Sequence, residues 1–275
     1  MESDDTARLS TRRAELQTVL GSLGSVVIAY SGGVDSSLLL RVAADTDGLR
    51  FIAVTTHSPT TPRHETDEAR ALASSLGAHH IVREVDELET PGYAANPANR
   101  CYLCKQTLYP VCFEIAHAHG LARVVDGVNH DDLSDYRPGL VAAAELGVRH
   151  PLADVGLTKA DVRSLSSLYG LPTADKPASP CLSSRFPYGT RITHEGLEQV
   201  AAAEAVLRRL GFRELRVRYL GTTARVEVAS SEQARLADPV LRANVVDELE
   251  RLGFSTVEIS TTPLRSGSLN DVLAR

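Results

Sequence analysis

Two stretches of the chain carry residue types suited to chemistry rather than packing. The first is Ser31-Gly32-Gly33-Val34-Asp35-Ser36-Ser37, directly after the apolar run at residues 26–30. A strand that turns through two glycines into a helix leaves free N–H groups and the positive end of a helix dipole facing the turn, with no Cβ to hold a ligand away. The hydroxyls of Ser31, Ser36 and Ser37 complete a cradle for phosphate. The common nucleoside-triphosphate loop needs a Lys before its closing Ser or Thr. Here Asp35 stands where a cation is expected, and a carboxylate beside a polyphosphate calls for a bridging Mg²⁺. The second stretch is Asp175-Lys176-Pro177-Ala178-Ser179-Pro180-Cys181-Leu182-Ser183-Ser184-Arg185-Phe186-Pro187-Tyr188-Gly189. Its three prolines hold it extended and keep it out of helix and sheet. Cys181 therefore falls on a loop, and Lys176 and Arg185 nearby favour the thiolate, the nucleophilic form.

Three further groups stand out. Cys101 and Cys104 form one C-x₂-C pair, short of the four ligands of a closed zinc site. They read either as part of a three-cysteine iron–sulfur site with Cys181 or as a half-buried pair at i and i+3 of a helix start. The run from Asp126 to Gly139 leaves a strand at its C-terminal end, on the same side as the phosphate loop. Asn129 and Arg137 there suit ATP, Arg137 as a bidentate phosphate clamp, and Asp132 joins Asp35 as a candidate for Mg²⁺. Arg216 and Arg218 alternate on a strand and so share a face. Two guanidiniums together suit a phosphate, with Glu204 and Glu227 able to face them. The histidines, His57, His64, His130, His150 and His194 among them, show no metal-ligand spacing and read as surface or structural.

These groups need a frame. Hydrophobic periodicity predicts helices over 7–23, from the phosphate loop to 44, and over 64–76, 102–119, 140–146 and 158–169. Strands are predicted over 26–30, 51–56, 78–85, 122–128 and 148–152, with a polar linker at 87–98. Thr158 is placed as a cap, with Asp161 in the capping-box position. Alternating strands and helices imply a parallel sheet covered on both faces. Beyond the proline-rich stretch the pattern changes to a helix over 196–210, strands over 214–219 and 224–228, a helix over 239–252 and a strand over 256–260. The expected fold is therefore α/β, a doubly wound, mostly parallel sheet over residues 1–185, followed by a smaller α+β domain over 186–275.

Composition narrows the function. At 275 residues, 43% hydrophobic and 23% charged, the chain is an ordinary globular one, long enough for one large and one small domain. A net charge of −6 disfavours a broad nucleic-acid surface. The acidic start, Met1-Glu2-Ser3-Asp4-Asp5, is unlike a signal peptide, and no apolar run is long enough to span a bilayer, so a cytoplasmic protein without membrane contact is expected. In a reducing compartment the four cysteines are not a disulfide framework.

With Ser31–Ser37, the Cys101–Cys104 pair, the Asp126–Gly139 run and the Cys181 stretch all in order, the chain resembles the ATP-dependent sacrificial sulfur transferases, the LarE family, among the PP-loop ATP pyrophosphatases. The likeness runs from about residue 10 to about residue 265, and Pro180 to Gly189 is its most specific part. It implies an adenine nucleotide α-hydrolase-like fold and the reaction that follows. ATP with Mg²⁺ activates a carboxylate of a pyridinium dicarboxylate mononucleotide as its adenylate. Cys181 displaces AMP, and elimination then leaves the sulfur on the product and dehydroalanine in the chain, unless a cluster supplies the sulfur instead. It also implies that Arg216 and Arg218 hold the substrate phosphate, with Lys176 and Arg185 beside the substrate, and that Glu204 and Glu227 bind a divalent metal. Where the family adds an acid after Glu227, Glu232 and Asp238 stand without clear alignment. A homo-oligomer, hexamers among them, is implied, and so is a nickel-inserting partner in the same pathway. Two other enzymes fit the phosphate loop: a tRNA thiolase with a cysteine-bound cluster, and an amide-forming ATP pyrophosphatase in which Cys181 is incidental. A nucleotide sensor fits it less well.

Overall fold

The computed structural model describes residues 2–134, 137–265 and 267–272. It divides into two compact units, Met1–Asp86 with Asn99–Lys176, and Glu87–Ala98 with Pro177–Arg275. The stretch at 87–98, read above as a linker, thus packs with the second unit.

The first unit runs α1 (Glu2–Ser22), β1 (Ser25–Ala29), α2 (Val34–Ala44), β2 (Arg50–His57), α3 (Arg63–Ser75), β3 (His80–Glu84), α4 (Arg100–Ala118), β4 (Arg123–Asp126), α5 (Pro138–Leu146), α6 (Pro151–Asp154) and α7 (Lys159–Leu168). Its strands pair in the order β3-β2-β1-β4, all parallel. Alternate residues of β1 enter different apolar clusters. Val26 and Ile28 join Leu16, Leu39, Ala69 and Leu165, whereas Val27 joins Tyr109, Ile115 and Ala143. Both faces of the sheet are therefore buried, which explains why β1 reads as an unbroken apolar run. The direction of strand order reverses between β1 and β4, where open parallel sheets leave a crevice at their C-terminal ends.

The expected strand at 148–152 is not formed. Arg149 makes a single parallel bridge to Val125, and Pro151 opens α6. Proline has no N–H for the next ladder bond and suits the first helical position instead. The cap at 158 is present in full: Thr158 Oγ1 accepts from Asp161 N, and the Asp161 carboxylate accepts from Thr158 N.

The second unit contains α8 (His194–Arg209), β5 (Leu215–Leu220), β6 (Thr223–Val228), α9 (Pro239–Arg251) and β7 (Thr256–Ile259). The β5–β6 pair is antiparallel and β7 joins β6 in parallel. Val217, Val226 and Val228 pack against Ala203, Leu207, Val245 and Leu249 of the two helices.

A buried polar knot closes the end of β4. Asp126 accepts from the Tyr109 hydroxyl at 2.6 Å, His150 Nδ1 at 2.7 Å and Val128 N at 3.1 Å. Burial alone would raise the Asp126 carboxyl. The bond and charge of His150, then Lys105 and the bond from Tyr109, outweigh it and hold the carboxyl below its usual range. Burial likewise pulls His150 down, but the bond and charge of Asp126, helped by Asp154, hold it above the ordinary imidazole value. The His150 contribution to stability is present in mild acid and lost as pH rises through its folded pKa; that of Asp126 is lost only as pH falls far into acid. The melting temperature should therefore fall as pH rises from about 6.5 into the alkaline range. His150→Gln should flatten that slope, which thermal denaturation across pH would reveal.

Candidate active site

The phosphate loop joins β1 to α2. Gly32 takes φ +71°, and a Cβ on it would lie 2.8 Å from Ala69 Cβ on α3, so both its conformation and its neighbour demand glycine. Ser36 Oγ donates to the Gly33 carbonyl at 3.3 Å and meets Ser31 Oγ at 3.1 Å. Ser36 and Ser37 lie buried beneath the loop, and Ser31 is exposed.

Asp35, in the first turn of α2, gathers the other loops. Its Oδ1 accepts from Asn129 Nδ2 at 3.0 Å, and its Oδ2 meets Lys159 Nζ at 2.5 Å. Asn129 is itself locked, with its side-chain oxygen accepting from Asp131 N and Asp132 N. Gly127 allows this approach: a Cβ there would sit 2.7 Å from Ser36 N. Asp132 pairs with Arg137 at 2.7 Å. Burial raises the Asp132 carboxyl and the charge of Asp35 adds to this, against the bond from Asn129 and the charges of Arg137 and Lys159. Asp135 and Tyr136 lie outside the described residues. Lys176 is held within this unit by Glu65 at 2.5 Å, Glu68 at 2.8 Å and the Gly32 carbonyl at 3.4 Å.

The structure thus brings Asp35, Asn129, Asp132 and Arg137 together at the C-terminal ends of β1 and β4. It adds Lys159, which the sequence reading missed. The only local signal was its place just behind the Thr158 cap, at the positive start of α7. Its ammonium stands beside the phosphate loop on the Asp35 carboxylate.

In the second unit Cys181 is half-buried and heads a 3₁₀ turn, Leu182–Arg185. Arg185, expected beside the substrate, is 2% exposed and grips the loop from within. Its guanidinium binds Glu204 of α8 through two hydrogen bonds, 2.7 and 2.9 Å, and donates to the Pro180 carbonyl at 2.7 Å. Phe186 stacks on Tyr219 of β5, with ring centroids 4.6 Å apart.

Arg216 and Arg218 lie side by side on β5, both buried. Arg218 is fully engaged with Glu227, the Ser184 carbonyl and Ser268 Oγ, each at 2.9 Å. Among the described residues Arg216 donates to the Arg265 carbonyl alone, at 3.4 Å. Burial and the neighbouring charges of Arg185 and Arg218 bring it down to about 10. Arg185, Arg216 and Arg218 converge here on Glu204 and Glu227, and Arg208 lies 3.8 Å from Glu204, a local excess of positive charge around Arg216.

The donor set answers differently for each expected metal. A nucleotide-bound Mg²⁺ needs one or two carboxylates, the rest coming from phosphate and water. Asp35 and Asp132 supply that number, but Asn129, Lys159 and Arg137 stand on their oxygens, so a metal there would have to replace these partners. Glu204 and Glu227 are likewise held by arginines, and Glu204 is buried as well. Among the described residues no group of three or more His, Cys, Asp or Glu is placed to hold a metal ion. Cys101 is exposed and Cys104 half-buried at the start of α4; Cys112, deeper in that helix, is buried, and burial pushes its thiol up to about 12. No helix among the described residues is long and apolar enough to cross a membrane.

Gly127→Ala forces a Cβ against the backbone of the phosphate loop. Overpacking of this kind costs about 1–3 kcal/mol of stability. Misplacing the loop should weaken ATP binding by roughly tenfold or more, which calorimetric titration with ATP checks on a variant that still unfolds cooperatively.

The chain matches no protein-family model. It is 43% identical over 267 residues to an uncharacterised protein of Synechocystis sp., covering 97% of this chain and 100% of that one. A tRNA-specific 2-thiouridylase, MnmA, of Azorhizobium caulinodans is 33% identical over 196 residues, spanning 56% of this chain and 49% of that protein. The pyridinium-3,5-bisthiocarboxylic acid mononucleotide synthase of Lactiplantibacillus plantarum is 40% identical over 271 residues, 98% of this chain and 97% of that enzyme. With that identity held from end to end, the chain belongs to the LarE family of pyridinium bisthiocarboxylate synthases, within the PP-loop ATP pyrophosphatase superfamily.

Proposed function

We propose that the chain is an ATP-dependent sulfur transferase that converts a carboxylate of pyridinium-3,5-biscarboxylic acid mononucleotide to a thiocarboxylate, with Cys181 as the sacrificial sulfur donor. The observation that carries this reading is the pairing, in one unit, of a half-exposed thiol on an anchored loop with Arg216, a buried guanidinium short of partners. The synthase from L. plantarum is named for a product that carries a mononucleotide phosphate and two thiocarboxylates; on the proposed reading the phosphate of the precursor goes to the second group and its carboxylate to the first.

The first unit handles ATP. The open N–H groups of the phosphate loop and the ammonium of Lys159 face the polyphosphate, and Arg137 clamps it from the β4 loop. Mg²⁺, held by Asp35 and Asp132 when bound, neutralises phosphate charge. A substrate carboxylate oxygen attacks the α-phosphorus, the bond to the β-phosphate oxygen breaks, and pyrophosphate leaves. The second unit holds the substrate phosphate at Arg216 and Arg218, and Arg185 presents the cysteine loop. Thiolate sulfur of Cys181 attacks the acyl carbon and AMP leaves as an oxyanion. Loss of the Cys181 α-proton then drives its Cβ–S electron pair onto sulfur. Thiocarboxylate departs and dehydroalanine remains, so a product with two thiocarboxylates consumes two chains.

The decisive experiment incubates the protein with ATP, Mg²⁺ and the dicarboxylate mononucleotide, then reads intact mass and maps peptides. The expected result is loss of the elements of H₂S at Cys181. Unchanged Cys181 with thiolated product would instead establish a cluster-fed enzyme, and no product at all overturns the assignment. Cys181→Ala should keep pyrophosphate release and yield no thiocarboxylate; an amide-forming enzyme would retain its full activity. Arg216→Ala should raise the Kd for the mononucleotide, read by calorimetric titration, roughly tenfold or more, as loss of a charged hydrogen bond worth about 1.5–3 kcal/mol implies, with little change in ATP affinity. The likeness to MnmA favours tRNA thiolation as the second reading; salt-sensitive tRNA binding is its test, and the net charge of −6 works against it.

A further inference from the structure

The stretch Glu87–Ala98 has no motif and no strand or helix period, yet it is built into the second unit rather than laid over it. Tyr93 is 1% exposed, and its hydroxyl meets Ser183 Oγ at 2.8 Å, two residues past Cys181. Asn96 is wholly buried and takes φ 54°, ψ 53°; among the described residues it is the one non-glycine with positive φ. A side chain in that left-handed region is tolerated when its surroundings over-determine it, and such residues gather at functional sites. Here the surroundings are the cysteine loop. Asn96 Nδ2 donates to the Pro187 carbonyl at 2.7 Å and the Phe186 carbonyl at 3.2 Å. Its own carbonyl accepts from Gly189 N at 2.9 Å, and that of Ala94 accepts from Ile192 N at 2.8 Å.

We propose that residues 87–98 form a strap that positions Cys181 for sulfur transfer, with Tyr93 and Asn96 as its positioning residues. The strap clamps the loop at residues 183, 186, 187, 189 and 192, all C-terminal to the thiol, and Arg185 holds the Pro180 carbonyl on the other side. The cysteine is thus the one reactive group between two fixed points. Neither residue carries a charge or a group that the adenylation step uses, so their effect falls on the second half-reaction alone.

This inference rests on Cys181 being the sulfur donor, and the test separates the two. Tyr93→Phe removes one hydroxyl. Asn96→Gly keeps the left-handed backbone and removes only the side-chain bonds, which distinguishes the clamp from simple strain. Three quantities are read for each variant: single-turnover pyrophosphate release, the rate of thiocarboxylate formation, and alkylation of Cys181 by iodoacetamide with exposed Cys101 as internal reference. Pyrophosphate release should stay at the level of the unsubstituted protein. Thiocarboxylate formation should slow by about ten- to a hundredfold, the scale of a misplaced reacting group. Alkylation at Cys181 should rise severalfold against Cys101 as the loop loosens. Equal thiocarboxylate and alkylation rates in variant and unsubstituted protein overturn the strap. So does a parallel loss of both half-reactions, which marks a merely structural role. If the unsubstituted protein itself leaves Cys181 intact, the sulfur-donor reading fails, while the alkylation shift still reports whether the strap fixes the loop.

Discussion

The first unit depends on one carboxylate. Asp35 stands in the first turn of α2, where the helix dipole favours negative charge, and it receives Asn129 from the β4 loop and Lys159 from the start of α7. Two segments, the loop after β4 and the start of α7, thus meet on the two oxygens of a third, the start of α2. Each partner is fixed in turn: Asn129 by the N–H groups of Asp131 and Asp132, and Lys159 by its own N–H on the Asp131 carboxylate at 2.8 Å. The result is a charged rim that alternates carboxylate and cation, suited to a metal-bound polyphosphate rather than to a bare anion.

The second unit has a matching device with the opposite sign. Glu204 is 2% exposed and accepts from Arg185 through both oxygens and from Val217 N at 3.1 Å. Removing either partner of such a pair leaves a buried charge uncompensated, at a cost of about 3–5 kcal/mol. The pair ties α8, β5 and the cysteine loop together. Arg216 and Arg218 lie beside it with Glu227, and Arg208 stands 3.8 Å from Glu204, so guanidiniums outnumber carboxylates in this cluster. An anion bound there would relieve that like-charge repulsion and so would stabilise the fold.

Local patterns were legible in the sequence wherever a short stretch decides its own structure. The phosphate loop follows from an apolar strand, two glycines and a helix start, and the Thr158–Asp161 cap from two residues three apart. The Arg216-x-Arg218 face follows from strand alternation. The misreading at 148–152 came from a short stretch, Val148 to Leu152, whose proline decides the outcome. What could not be read is what depends on partners far along the chain. Lys159 reaches a carboxylate 124 positions away, and Tyr93 and Asn96 reach carbonyls and a hydroxyl 90 positions away. Residues 87–98 look like a linker because the long-range bonds of Tyr93, Ala94 and Asn96 are made with residues 183–192, far along the chain.

On the proposed reaction, the rigidity of that loop has a kinetic reason. An enzyme that turns over many times must release a flexible product and reset, which favours mobile loops near the chemistry. A cysteine consumed in one transfer never resets. Its only requirement is that the single event happen at the adenylate and not at another electrophile. Holding the thiol between two fixed backbone points limits the directions from which it can be attacked and can attack. A buried left-handed asparagine, an internal arginine and a stacked phenylalanine are a large structural investment for a loop of this length, and they fit a site used once and therefore required to be right the first time.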